Sequence, residues 1–318
     1  MLDAIIIGAG QAGLATAYYL RRAGADFLLL DNQVAPGGSW RQMWPSLTLF
    51  STHEFSNLPG WPMPPYDGFP PASHVVDYLT RYEQRYNLPV ERPVTVDSVE
   101  EDGDGDGLVV RAGEREWQAA HVVAATGTWA APFVPSYPGS RIGGFWHAAN
   151  YPGPETFRGK TVGVVGGANS GAQIAAELTQ VADVTWYTRG EPRWMPDDVD
   201  GRVLFRRNRE RALAILRGEP DPGADSRLGD IVMVPEVLAA RDSGRLRATP
   251  MFSSLDEVDA DHLIWCTGFR PALGPVRGLL DHPRVHPVGY GDWTGPGSAT
   301  ITGVGPYAKE TARRITGA

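Results

Sequence analysis

Gly8-Ala9-Gly10-Gln11-Ala12-Gly13 is the stretch from which the fold of this chain is read. It follows the apolar run Ile5-Ile6-Ile7, opens a helix expected over Leu14 to Arg22, and has Asp31 standing 18 residues past its last glycine. A strand, a glycine turn and a helix let the backbone approach a pyrophosphate, with the helix N-terminus supplying N–H donors and a positive dipole. A carboxylate at the end of the following strand accepts hydrogen bonds from ribose hydroxyls. The pattern recurs 158 residues later as Gly166-Gly167-Ala168-Asn169-Ser170-Gly171. Here the residue 18 past the last glycine is Arg189, suited to a 2′-phosphate. Opposite charges at the two ribose ends imply two different dinucleotides in one chain, and hence electron transfer between them. Arg189 favours NADPH over NADH at the second turn. Ala168 in the middle glycine position adds a methyl group where the pyrophosphate approaches, which suits a reversibly held cosubstrate. Arg193 and the basic run near Arg206 are expected on a solvated face.

The chain has 318 residues, enough for two domains of ordinary size. A net charge of −8 argues against nucleic-acid binding. The single cysteine, Cys266, excludes a disulfide framework, a zinc cluster and a Cys-x-x-Cys pair, and no metal is expected. Cys266 is expected as a buried structural thiol. No membrane span or leader is read from the sequence, and a cytoplasmic location is expected by default. The assembly state is left open, a homodimer included.

Around the two turns the chain divides into strands at Leu2 to Ile7, Phe27 to Leu30, His121 to Ala125, Thr161 to Val165, Asp183 to Thr188 and His262 to Trp265. Helices are expected over Asp77 to Tyr86, Ser170 to Thr179 and from near Gly305. Strands at Val94 to Val99, Leu108 to Arg111 and Glu116 to Gln118 read as a small meander. The acidic run Asp102 to Gly107 reads as a hairpin tip, since it lacks the closing glutamate of a calcium loop. Pro132 to Pro154 reads as an irregular crossover, and residues 193 to 230 as a polar, partly helical excursion. The fold expected is α/β, two Rossmann-like three-layer dinucleotide-binding domains with the NADPH domain inserted into the FAD domain. The boundaries are 1–155 and 268–318 for the FAD domain and 156–267 for the NAD(P)H domain.

Further motifs follow in order: Gly37-Gly38-Ser39-Trp40, Leu58-Pro59-Gly60-Trp61-Pro62-Met63-Pro64, Ala125-Thr126-Gly127, His147-Ala148-Ala149-Asn150-Tyr151, Cys266-Thr267-Gly268-Phe269-Arg270-Pro271 and Gly291-Asp292. With the two glycine turns, these resemble the flavin-containing monooxygenase-like flavoproteins over essentially the whole chain. The resemblance implies FAD at Gly8, Gly10, Gln11, Ala12, Gly13 and Asp31. It adds Gly38, Ser39, Trp40, Thr126 and Gly127 on the flavin side, and Gly291 with Asp292 at the ribityl chain. It implies NADPH at Gly166, Ala168, Asn169, Ser170, Gly171 and Arg189, with Thr267 and Gly268 at the second crossing. Trp40, His147 and Tyr151 are the catalytic candidates, His147 reading equally as a hydrogen-bonded linker residue. The aromatic stretch Trp40, Trp44, Phe50, Trp61, Tyr66 and Phe69 divides between core and an apolar substrate pocket, with Trp40 and Trp44 expected nearest the isoalloxazine.

Departures from the family pattern narrow the chemistry. Arg141 stands where the linker motif has Phe, while Gly143, His147 and Tyr151 match it. Tyr151-Pro152 replaces the Trp-led ending of Baeyer–Villiger enzymes. No asparagine stands in Ser51 to His53, beside the flavin, and Asn57 reads as a turn residue. Related disulfide reductases carry a cysteine where this chain has Ala12. The reading is an FAD- and NADPH-dependent monooxygenase. It would act with dioxygen through a C4a-hydroperoxyflavin on a small-molecule substrate, a soft sulfur or nitrogen nucleophile. The alternatives are a reductase passing electrons to a quinone, thiol/disulfide or protein acceptor, and a nucleotide-sensing flavoprotein without turnover.

Overall fold

The computed structural model describes residues 1–103, 105–140, 143–199, 201–223 and 229–317. Arg141, and Asp104 of the hairpin tip, lie outside the described residues. The chain begins as expected with a strand at Leu2–Ile7 (β1), a helix at Gln11–Arg22 (α1) and a strand at Phe27–Leu30 (β2). β1 and β2 are parallel neighbours, both short and apolar because helices cover one face and a meander the other. A helix at Ala72–Arg85 (α2) starts five residues ahead of the expected Asp77, at the N-cap Pro71. Its buried stripe Val75, Tyr78, Leu79 and Tyr82 follows helical spacing and packs towards α1.

Two short strands, Val90–Glu91 (β3) and Ser98–Glu101 (β4), replace the single expected run from Val94. Val94 and Val96 between them are buried but lie outside any ladder. Leu108–Ala112 (β5) and Arg115–Ala124 (β6) complete the meander. The strands expected at Glu116 to Gln118 and His121 to Ala125 merge in β6. It is one strand of ten residues with two duties: its first half pairs antiparallel with β5, and its second half runs parallel to β1. Val285–Pro287 (β12, named here by its place in the chain) pairs with the end of β6, giving a sheet ordered β3-β2-β1-β6-β5-β4 with β12 on β6.

The presumed irregular crossover contains a strand, Gly144–His147 (β7). After it come Thr161–Val165 (β8), a helix at Asn169–Leu178 (α3), Asp183–Thr188 (β9), Gly201–Leu216 (α4), Pro235–Asp242 (α5), Ala248–Pro250 (β10) and His262–Trp265 (β11). They form a wholly parallel second sheet ordered β10-β9-β8-β11-β7. β7 therefore belongs to the second sheet although it precedes residue 155. The chain closes with Val304–Thr316 (α6), which packs beside α1.

The two passages between the sheets run side by side. Phe133 N–H donates to Gly268 O, Arg270 N–H to Ala131 O and Ala272 N–H to Gly127 O, at 3.0, 2.8 and 2.9 Å. Both small-Thr-Gly signals therefore sit in one two-stranded ribbon linking the sheets. Among the described residues no helix is long and apolar enough to cross a membrane.

Candidate functional site

The first glycine turn is held by packing that admits no side chain at two of its positions. Gly8 has φ +102°, and a Cβ there would stand 2.5 Å from Ala125 O. A Cβ on Gly13 would meet Gly8 O at 1.9 Å, so Gly13 brings α1 against β1 rather than facing outward. Gly10 differs: a Cβ there would meet nothing within 4 Å of the protein. The open space in front of Gly10 belongs to a cavity of about 610 Å³, within the roughly 300–1,000 Å³ of small-molecule and cofactor sites.

That cavity collects most of the first set of site residues. Gly8, Gly10, Gln11, Ala12 and Asp31 line it. Gly38, Ser39 and Trp40 line it beside the turn, and Thr126 and Gly127 line it too. Gly38, at φ +54°, lies so close to Gly10 that a Cβ would reach its Cα at 2.9 Å. Trp40 Nε1 donates to Gln11 Oε1 at 3.0 Å, and Gln11 Nε2 donates to Ala299 O at 2.6 Å, so one carboxamide ties three segments together. Asp31 is buried, with Arg92 Nε donating to its Oδ2 at 3.1 Å, and Arg92 in turn grips Glu83 through both terminal nitrogens. Thr126 Oγ1 donates to Ala272 O at 2.8 Å and also meets Tyr290 Oη at 2.7 Å. The glycine-lined space, the buried ribose-type carboxylate and the helix N-terminus suit an adenine dinucleotide.

Sequence reasoning missed several lining residues: Val96, Trp129, Phe269, Gly289 and Ala299. Trp129 and Phe269 stack at 4.8 Å across the ribbon between the sheets, a contact that only the pairing of those passages creates. Gly291 and Asp292 do not line this cavity. Asp292 is exposed and faces a second cleft, walled by α4 and α6.

The second turn repeats the closest approaches of the first. Gly166 has φ +143° and abuts Cys266 O, at 2.4 Å from a built Cβ, as Gly8 abuts Ala125. A Cβ on Gly171 would meet Gly166 O at 2.0 Å, as on Gly13. Ala168 is the N-cap of α3 with φ −118°, an ordinary conformation for alanine. Trp186 Nε1 donates to Gly166 O at 2.8 Å and anchors the turn from β9. Ser170 lies half-buried at the start of α3. Arg189 is exposed just past β9, with no carboxylate paired to it among the described residues. Arg193 pairs with Asp230 at 3.7 Å, and Arg206 is exposed on α4.

His147 and Tyr151 lie outside the first cavity. His147 is buried; its Nδ1 accepts from Ala149 N–H and its Nε2 donates to Gly268 O, both at 3.1 Å. Burial lowers its pKa, and the neutral ring spans β7 and the ribbon. Thr267 Oγ1 donates to Phe133 O on the same ribbon. Tyr151 is buried and stacks on Phe157 at 5.7 Å, its hydroxyl without a hydrogen-bond partner and its pKa raised by burial. Cys266 is buried as expected, which pushes its thiol up to about 12. Asn57 is a turn residue as expected, accepting from Met63 N–H and donating to Glu54 O within its own loop. Of the aromatic stretch, Trp40 lines the cavity, and Trp44 is buried in the core of the second sheet.

Residues 5–212 match the family model described as pyridine nucleotide-disulphide oxidoreductase. The chain is similar to a flavin-containing monooxygenase from Stenotrophomonas maltophilia, 42% identical with a TM-score of 0.88, covering 99% of this chain and 98% of that one. It is 28% identical to an uncharacterized oxidoreductase of Bacillus subtilis (strain 168), over 100% of each chain. A bacillithiol disulfide reductase from Staphylococcus aureus, 15% identical with a TM-score of 0.74 over 99% of this chain and 98% of that one, shares the fold.

Proposed function

The chain belongs to the pyridine nucleotide-disulphide oxidoreductase family and to the flavin monooxygenases within it, an NADPH-dependent flavoprotein oxidoreductase using FAD and NADPH, and from that premise we propose the allocation of its residues and its reaction. Residues 1–155 and 268–318 form the FAD half and 156–267 the NADPH half, with β7 lent to the second sheet. Gly8, Gly10 and the N-terminus of α1 receive the FAD pyrophosphate, and Asp31 its ribose. Gly38, Ser39 and Trp40 border the flavin, with Thr126 and Gly127 lining the same cavity. Gly166, Ala168, Ser170 and Gly171 receive NADPH, and Arg189 its 2′-phosphate. His147 and Tyr151 support the passage between the halves, since His147 has both ring nitrogens engaged.

Bound FAD supplies a hydride acceptor and a centre for dioxygen activation. The protein positions the two nucleotides and excludes water. We assign the product-forming step to transfer of one oxygen atom to a soft sulfur or nitrogen nucleophile. The observation that carries this reading is the repeated turn with opposite charges at its two ribose ends, Asp31 and Arg189, in a chain 42% identical to a flavin-containing monooxygenase. The test is turnover of a simple thioether with NADPH and isotopically labelled dioxygen. One labelled oxygen in the sulfoxide, with little hydrogen peroxide, is expected. Stoichiometric peroxide without labelled product from thioethers or amines overturns oxygen transfer.

A second reading, electron transfer to a quinone, draws on Asn57. Its amide is consumed within its own loop, leaving no asparagine for the segment Ser51 to His53. Rapid NADPH-driven quinone reduction together with that peroxide result selects it.

A further inference from the structure

We propose that Asn169 is a positioning residue for the nicotinamide nucleotide, acting through the segment 229–232; this rests on NADPH occupying the second glycine turn. Asn169 is the first residue of α3 and corresponds, in the internal repeat, to Gln11, the first residue of α1. Each follows the middle position of its turn, and each carries a carboxamide.

At the first turn the use of that carboxamide is visible. Gln11 accepts from Trp40 Nε1 and donates to Ala299 O, and Gln11, Trp40 and Ala299 all line the cavity. The side chain thus ties two segments that line the cavity to the start of α1. At the second turn the Asn169 carboxamide is likewise bonded through both its nitrogen and its oxygen, here to a single segment. Its Nδ2 donates to Asp230 O at 3.0 Å and its Oδ1 accepts from Val232 N–H at 2.8 Å. With those two bonds in place, the amide's principal donor and acceptor directions are committed to protein.

The segment so tied is braced from behind. Asp230 N–H donates to Arg193 O at 2.7 Å and Met195 N–H to Ile231 O at 2.9 Å, forming a short paired ribbon with 193–195. Gly229 lies against it so tightly that a Cβ would stand 2.2 Å from Arg193 O and 2.4 Å from Trp194 O. Asn169 is the tie that fastens this ribbon to the turn receiving the nucleotide. By the correspondence with Gln11, 230–232 is the wall that Asn169 sets, and the nicotinamide nucleotide binds against it. The excursion after β9 thereby gains a role that its polar composition did not reveal.

The test is anaerobic single-turnover reduction of the FAD-loaded protein by increasing NADPH, which separates Kd from the limiting rate. Asn169→Ala removes both bonds and is expected to raise Kd about tenfold, with FAD content and the limiting rate little changed. Gly229→Ala displaces the same wall from the far side and is expected to raise Kd likewise, the double variant being no worse than the weaker single one. An unchanged Kd in Asn169→Ala overturns the inference, as does a loss confined to the limiting rate. Arg189→Ala distinguishes the two levels. If it raises Kd while Asn169→Ala does not, the site stands and the inference falls. If neither moves Kd, the reading of the second turn falls and the inference with it.

Discussion

Arg92 Nε lies 3.1 Å from Asp31 Oδ2, and the same guanidinium grips Glu83 in two-pronged fashion at 2.7 and 2.8 Å. All three side chains are largely buried, at 12%, 5% and 14% exposure for Arg92, Asp31 and Glu83. The arginine fixes the orientation of the carboxylate that lines the cavity and bridges two buried acidic side chains. Arg92→Met leaves both carboxylates uncompensated and is expected to cost about 3–5 kcal/mol. Thermal unfolding and FAD occupancy should fall together. A variant that melts like the parent and retains FAD would remove Arg92 from this role.

Gly8 and Gly10 sit two residues apart and are expected to respond oppositely. Gly8→Ala puts a methyl group 2.5 Å from Ala125 O at φ +102° and should lower stability even without cofactor. Gly10→Ala meets nothing in the protein, so the apoprotein should melt as the parent does. Its FAD affinity should nevertheless drop at least about tenfold, because the methyl group occupies the phosphate's approach. Equal FAD affinity for Gly10→Ala and the parent would contradict a pyrophosphate at this turn.

Arg189 should set the preference between the two nicotinamide nucleotides. Arg189→Ala is expected to raise KM for NADPH by about one to two orders of magnitude, as expected for loss of a charge-assisted contact. KM for NADH should move little. Parallel shifts for both nucleotides would place the 2′-phosphate elsewhere.

His286 supplies a pH dependence. Burial, the neighbouring His121 and Arg314 lower its pKa from 6.5 to about 4, and its Nε2 lies 3.1 Å from His121 Nδ1. His121 is lowered as well, chiefly by burial and Arg284. Between pH 6.5 and about 4 the unfolded chain binds the His286 proton and the folded chain does not. Stability therefore declines as pH falls through that window and is independent of this group above it. The contribution is about 3 kcal/mol at most. Denaturant midpoints of parent and His286→Gln should diverge in slope across the window. Identical slopes would show that the pair carries no such linkage.

Cys266 tests the disulfide branch of the reductase alternative. Its thiol is buried and pushed up to about 12, so thiol reagents at pH 8 should label it only on unfolding. Cys266→Ser should keep NADPH-driven flavin reduction. Loss of that reduction, with FAD retained, would give the thiol a part in electron transfer.

Much of this molecule is local in the sequence. Both glycine turns, the strands leading into them and Asp31 and Arg189 behind them are spelled out within short stretches, because turn geometry and strand length depend on nearest neighbours. β1, β2, β8, β9 and β11 fall at the expected residues for that reason. The single cysteine and the turn role of Asn57 were equally readable. β7 was not, since Gly144-Phe145-Trp146-His147 has no alternation of its own and becomes a strand only by lying beside β11. Nor was the unity of β6, whose two halves answer to different partners.

The amino-acid sequence by itself determined that one glycine turn pattern occurs twice, and which sign of charge stands 18 residues past each. Tertiary structure decided what each residue of those turns packs against. It turned Gly13 and Gly171 inward, left Gly10 facing open space, and spent the amides of Gln11 and Asn169 on protein. It placed Asp292 at another cleft and joined Trp129 to Phe269, 140 positions later in the chain. Dihedral preference and charge are properties of a residue and its neighbours, whereas the direction a side chain faces is fixed by whichever distant segment packs against it.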